Sequence, residues 1–272
     1  MNPVQQHYSR DGLFDTIVNA FGQHGITSIT RNDIAGLDEF HVRGAAVSLE
    51  LAREAGFSSN TAVLDVGCGI GGPCRMIASE FGCRVTGVDI TAEYIITAKK
   101  LSELTGLQHL TTFVQADALQ LPFAGESFDA VWTQHVQMNI SNKLQFYSEI
   151  HRVLRPTGQF IYYDIFRADE GPLAYPLPWA GDPSISHLVT VTTFESILHD
   201  LGFIITGSKD QTQAGIDFFK DMLSRPGTKP GLRILMGADA AQKTRNLLNG
   251  LEEGRLHLQS GTYRKSSRSV HL

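Results

Sequence analysis

"VLDVGCGIGG", residues Val63 to Gly72, decides how the rest of the chain is read. An apolar, β-branched run leads into glycines spaced Gly67-x-Gly69-x-x-Gly72, and "PCRMIASEF" behind them repeats apolar positions at helical period. A strand, a glycine turn and a helix in that order bring backbone N–H groups and the positive end of a helix dipole to one point. Dinucleotide-binding loops use the same spacing. What is held here turns on Asp65, two residues before the first glycine.

Outward from this unit the pattern repeats. "TAVLDV", "RVTGVDI", "TTFVQAD", "FDAVWTQ" and "GQFIYYDIF" read as successive strands. "AEYIITAKKLSELTG" reads as a helix closed by Gly106, and "KLQFYSEIHRVLR" as one stopped at Pro156. That alternation predicts an α/β fold with a doubly wound, mostly parallel sheet. "TTFESILHDLG" adds a helix, "FIITGSK" a sixth strand and "RLHLQSGTYRK" a seventh. Between these last two strands, "GIDFFKDMLSR" and "ADAAQKTRNLLNGLEEG" are helical by period, a helical insertion over about 210–254. Ahead of the sheet lie two helical patterns, 11–22 and roughly 38–55. The chain therefore divides into an N-terminal helical cap, 1–58, and a sheet domain, 59–272, ending in a solvated tail, "KSSRSVHL".

The 272 residues suffice for a large core without staples. A net charge of −5 with no long block of one sign argues against nucleic-acid or anionic-membrane partners. Cys68, Cys74 and Cys83 form no C-x-x-C pair and have no spaced histidines beside them, so no metal site is expected and a reduced, cytosolic setting is. No segment resembles a signal peptide or a membrane span. Oligomeric state cannot be read.

In a dinucleotide site a carboxylate at Asp65 would stand beside a pyrophosphate and be repelled, whereas an ammonium group would be attracted. S-adenosylmethionine carries an ammonium and no phosphate. The residues here resemble the class I S-adenosylmethionine-dependent methyltransferases, whose first motif, acidic-x-Gly-x-Gly, is seen as Asp65-Val66-Gly67-Cys68-Gly69. The resemblance implies the Rossmann-like methyltransferase fold and a donor site. In that site Asp65, Gly67 and Gly69 take the methionine end together with Gln134. Asp89 and the adjoining Ile90 take the ribose, a device that a dehydrogenase shares. "QADALQLPF" resembles the segment in which Asp117 and the backbone of Ala118 read the adenine.

The N-terminal stretches "HYSRDGLFDTI" and "GLDEFHVRGAAVSLELA" are similar to the cap of small-molecule enzymes related to sarcosine/dimethylglycine and phosphoethanolamine N-methyltransferases. This implies that Tyr8 closes over the methyl group and that the His41 to Gly44 turn approaches the donor's methionine end. His135 is the acceptor-facing candidate, as a proton acceptor, an orienting group or simply a backbone partner. Two positions depart from the phosphoethanolamine enzymes, whose acid and histidine read here as His135 and Asn139; a phosphobase acceptor is therefore disfavoured. Arg43 and Arg167 are candidates for a carboxylate acceptor by position only. The segment after the fifth strand, "RADEGPLAYPLPWAGDPS" with Tyr175 and Trp179, and the insertion carrying Phe218, Phe219 and Met222 are expected to cover the acceptor pocket.

Pro73-Cys74 lies before the second strand, the wrong place for a cytosine-methylating nucleophile, and Trp132-Thr133-Gln134-His135 is not an adenine-methylating turn. The expected activity is in-line methyl transfer to a small molecule, N- or O-directed, releasing S-adenosylhomocysteine. Two alternatives stay open: a donor-binding protein without turnover, and a nicotinamide-dependent oxidoreductase.

Overall fold

In the computed structural model, which describes residues 3–8, 10–169, 171–224 and 231–266, the β-branched runs form a seven-stranded sheet in the order β3-β2-β1-β4-β5-β7-β6. The N-terminal residues form α1 (Pro3–Tyr8), α2 (Leu13–Gln23), α3 (Arg31–Asp38) and α4 (Ala45–Glu54). The sheet region runs β1 (Ala62–Val66), α5 (Gly72–Phe81), β2 (Arg84–Asp89), α6 (Ala92–Leu104), β3 (Thr111–Gln115) and β4 (Phe128–Gln134). It continues with α7 (Lys143–Val153), β5 (Leu154–Arg167), α8 (Val191–Asp200) and β6 (Phe203–Asp210). The insertion contributes α9 (Thr212–Ser224), α10 (Arg233–Met236) and α11 (Ala240–Glu252) before β7 (Leu256–Lys265). Strands β1 to β5 pair in parallel, and β7 enters antiparallel between β5 and β6. This is the Rossmann-like methyltransferase architecture read from the sequence.

Alternation along the central strands explains why the sheet is covered on both faces. In β5, Ile161, Tyr163 and Ile165 enter one core with Trp132 of β4 and α4, while Phe160, Tyr162 and Phe166 enter another with α7 and α8. A third, smaller core joins Leu13, Ile17 and Phe21 of α2 and Ile34 and Leu37 of α3 to Tyr94 and Leu101 of α6. The N-terminal helices are thereby seated on the sheet domain.

Local chemistry fixes the element ends. Thr30 accepts from Asp33 N while Asp33 accepts from Thr30 N, a reciprocal cap that starts α3. Asn142 and Thr190 cap α7 and α8 with side-chain oxygens.

Two boundaries differ from the sequence reading. The pattern over 38–55 is not one helix: α3 ends at Asp38, and residues 39–44 turn, with Arg43 at φ 67° and Gly44 at φ 52°. Apolar spacing continues across the turn because the turn itself buries Val42. The helix expected to run to Pro156 ends at Val153, where Leu154 leaves the helix to pair with Phe128. No helix among the described residues is long and apolar enough to cross a membrane.

Candidate active site

The carboxyl ends of β1, β2 and β4 meet beneath the N-terminal helices around a cavity of about 360 Å³. Open α/β sheets bind ligands at this edge, where the strand order reverses. The glycine turn is shaped by steric need: Gly67 has φ +78°, and a Cβ there would stand 2.5 Å from Val136 Cγ2. At Gly72 a Cβ would come 2.1 Å from the Asp38 carbonyl oxygen, so only glycine lets α3 dock on the start of α5.

Four of the turn's N–H groups are spent internally. Gly67 N and Cys68 N both donate to Val88 O, at 2.8 and 2.9 Å, and Gly71 N donates to Cys68 O at 2.9 Å. Gly69 N donates to Asp89 Oδ2 at 3.0 Å, and Thr91 N donates to Asp89 Oδ1 at 2.8 Å. A loop that cradles a pyrophosphate needs such groups pointing outward. Here those of Gly67, Cys68, Gly69 and Gly71 are committed to the protein.

The charges around the cavity are all of one sign. Asp38, Asp65, Asp89 and Asp117 line it, and no lysine or arginine does among the described residues. Among the described residues, only Asp38 of these has a cationic partner, the buried Arg75 at 2.7 Å. Asp65 accepts from Cys74 Sγ at 3.2 Å, and burial pushes its carboxyl up to about 7. Burial also raises Asp89, against its backbone hydrogen bonds. Cys74 is thus a buried partner of Asp65, and burial lifts its thiol well above the ordinary range.

The N-terminal helices close the other side. In α1, Gln5 Nε2 donates to Ile90 O at 3.0 Å, and Tyr8 Oη donates to Asn139 Oδ1 at 2.9 Å. Burial pushes the Tyr8 phenol well up, so it stays a donor. Asn139 in turn donates to Trp179 O and Ile185 O, at 2.9 and 3.0 Å. His135 follows β4 in a left-handed conformation, φ 53°, with its N–H donating to Tyr163 O at 2.8 Å. Desolvation first, and then His41, hold the His135 imidazole neutral, well below its ordinary range.

The structure brings Tyr8, His41, Asp65, Gly67, Gly69 and Asp89 to the cavity wall, together with Ile90, Asp117, Ala118, Gln134 and His135. Gly44 stands apart, its nearest neighbour Glu39 Cβ at 3.9 Å from an ideal Cβ. Arg43 is engaged by Gln211 and Glu50, and Arg167 by Gly171 O. Neither faces the cavity. The aromatic wall expected from Tyr175, Trp179, Phe218, Phe219 and Met222 is elsewhere: all five pack with the main core. Ser184, Ile185, His187 and Leu235 take that place. His151 packs its ring edge-on against Phe203, 5.2 Å between centroids.

Residues 64–162 match the methyltransferase domain family. Over 119 residues, 44% of this chain and 31% of the relative, the sequence is 40% identical to the sterol 24-C-methyltransferase ERG6B of Gibberella zeae. Over 169 residues, 59% and 45%, it is 34% identical to the sterol 24-C-methyltransferase of Eremothecium gossypii. The chain spans less than half the length of either relative. Its fold is similar to that of the Haemonchus contortus phosphoethanolamine N-methyltransferase 2 solved with S-adenosyl-L-methionine, with a TM-score of 0.74 over 98% of this chain and 60% of that one at 19% identity. Residues 64–162, the stretch that matches the methyltransferase domain family, thus lie in a seven-stranded sheet of the Rossmann-like methyltransferase fold.

Proposed function

We propose that the protein binds S-adenosylmethionine and transfers its methyl group in line to a small, partly apolar acceptor, releasing S-adenosylhomocysteine. One observation carries the reading. Four N–H groups of the glycine turn are spent internally, and the turn faces carboxylates of which only Asp38 is paired with a cation among the described residues, which suits a ligand bearing an ammonium and a sulfonium and opposes a pyrophosphate.

In this reading Asp65, Gly67 and Gly69 hold the methionine end with Gln134 and His41, Asp89 and Ile90 hold the ribose, and Asp117 with Ala118 holds the adenine. Tyr8, fixed by Asn139, closes over the reacting methyl, and His135 faces the acceptor. The enclosure fits the chemistry, because methyl displacement depends on alignment and on exclusion of water. The sterol relatives and the apolar wall of Phe40, Val136, Ile140, Ile185 and Leu235 favour a small-molecule acceptor. A cytosolic setting, expected from the composition, belongs to the same proposal.

Isothermal calorimetry of S-adenosylmethionine and NADH against the protein tests it, followed by S-adenosylhomocysteine release across small phenols, amines and carboxylates. The donor is expected to bind, NADH is not, and one acceptor class turns over. NADH binding without donor binding would overturn the assignment, and donor binding with no release for any acceptor would reduce the protein to a donor-binding module.

A further inference from the structure

Ten buried side-chain polar atoms among the described residues have no hydrogen-bond partner, and four of them sit together around His41: Glu39 Oε1, Gln134 Nε2, His135 Nε2 and Tyr163 Oη. Buried polar groups are almost always paired, so such a concentration marks a place completed by something else. The cluster is otherwise well connected. Glu39 Oε2 holds His41 Nε2 and accepts from Ser48 Oγ, each at 2.9 Å, and Gln134 Oε1, 3.1 Å from Ser48 Oγ, accepts from Trp132 Nε1 at 2.9 Å. The rings of His41, His135 and Tyr163 stand 5.2 to 6.1 Å apart. His41, Gln134 and His135 also line the cavity, and the buried Glu39 and Tyr163 stand behind them, so the cluster is a polar recess reached from the cavity past His41 and His135.

His135 is held there firmly. Its left-handed backbone is a conformation few residues other than glycine adopt, and strain of that kind collects at functional positions. The next two N–H groups, of Val136 and Gln137, both donate to the buried Asp164 carboxylate at 3.2 Å.

We propose that this recess, which rests on the methyl-transfer reading above, receives the protic heteroatom of the acceptor: a neutral hydroxyl or amine N–H, and neither a carboxylate nor a phosphate. Tyr163 Oη can donate to that heteroatom, while His135 Nε2 and Glu39 Oε1 can accept from it; Gln134 Nε2 is left for the donor's methionine end. Glu39 is the cluster's one acidic side chain, and Arg43, whose charge reaches Tyr163, is committed to Gln211 and Glu50, so an anionic acceptor meets net repulsion.

The balance of the step is simple. The heteroatom's lone pair forms the new bond to the methyl carbon, the carbon–sulfur bond returns its pair to sulfur, and the heteroatom's proton passes to His135 Nε2. The positive charge thus moves from sulfur to an imidazolium beside the Glu39–His41 pair.

The test titrates the full chain, loaded with S-adenosylhomocysteine, with phenol, aniline and benzoate. Phenol or aniline is expected to bind at least about tenfold more tightly than benzoate, and which of the two binds better separates oxygen from nitrogen acceptors. Tyr163→Phe removes only the unpartnered hydroxyl, so it is expected to melt no lower than the parent yet bind the preferred probe about tenfold more weakly. His135→Phe is expected to lose the probe while keeping S-adenosylmethionine affinity within about twofold. Equal or tighter binding of benzoate, unchanged probe affinity in Tyr163→Phe, or no binding of either neutral probe would overturn the recess. If S-adenosylmethionine itself fails to bind, the methyl-transfer reading falls; the same titrations on unloaded protein then still judge the recess.

Discussion

Asp65 is a carboxylate facing a thiol on one side and the ligand cavity on the other, with Glu39 and Asp89 adding negative charge nearby. Burial lifts it to about 7, so in the free protein near neutrality it is a mixture of acid and carboxylate. A bound ammonium favours the ionised form. The sign follows: below pH 7 the donor must expel a proton to bind, so its affinity falls by up to about tenfold per unit of acidification, and above about pH 8 it levels. Calorimetry at pH 6, 7 and 8 is expected to give that slope for the parent, with a shallower slope and weaker binding for Asp65→Asn. An equal slope in both proteins would remove Asp65 from the donor site. The place of this residue at the cavity was legible in the sequence because it is local, two positions from a turn whose glycines are required by their own backbone angles. Glu39, Ser48 and Tyr163 were not, since their contacts join the cap to distant strands and none follows from spacing along the chain.

At the level of elements, the joint between α3 and α5 carries the cap. Arg75, fully buried, donates to Asp38 Oδ2 and Ile70 O, each at 2.7 Å, and to Ala98 O at 3.2 Å. The pair binds the end of the cap helix to the glycine turn and to α6. Removing one partner leaves an uncompensated buried charge, so Arg75→Met is expected to cost about 3–5 kcal/mol in chemical denaturation. Adding Asp38→Leu to it is expected to recover part of the loss; a double variant weaker than the single would show that the two residues do not act as a pair. The strands and helices of the sheet were readable because period 2 and period 3.6 alternate cleanly there. The 39–44 turn was hidden by apolar spacing that runs through it, and of the two segments expected to cover the pocket, Ser184 and Leu235 rather than the aromatic residues reach the cavity. Aromatic richness in 175–222 marked core packing, while the short α10 sent Leu235 to the cavity.

For the whole molecule, the cavity is closed by segments remote from the sheet that builds its floor. Helix α1 contributes Tyr8 and, through Gln5, a bond to the loop after β2, but buries no residue fully. Deleting residues 1–9 is therefore expected to leave the melting temperature within a few degrees while weakening donor binding by about tenfold or more, measured by calorimetry on both forms. Undiminished affinity would show that the lid adds nothing to the site.

The carboxylate of Asp89 has a further consequence. By accepting from Gly69 N and Thr91 N it pins the ends of two neighbouring loops to each other with the same group that is proposed to meet the ribose. The ordering entropy of that corner has already been spent when the chain folds. A donor arriving there has little left to freeze, and its association is not delayed by a search for loop shape.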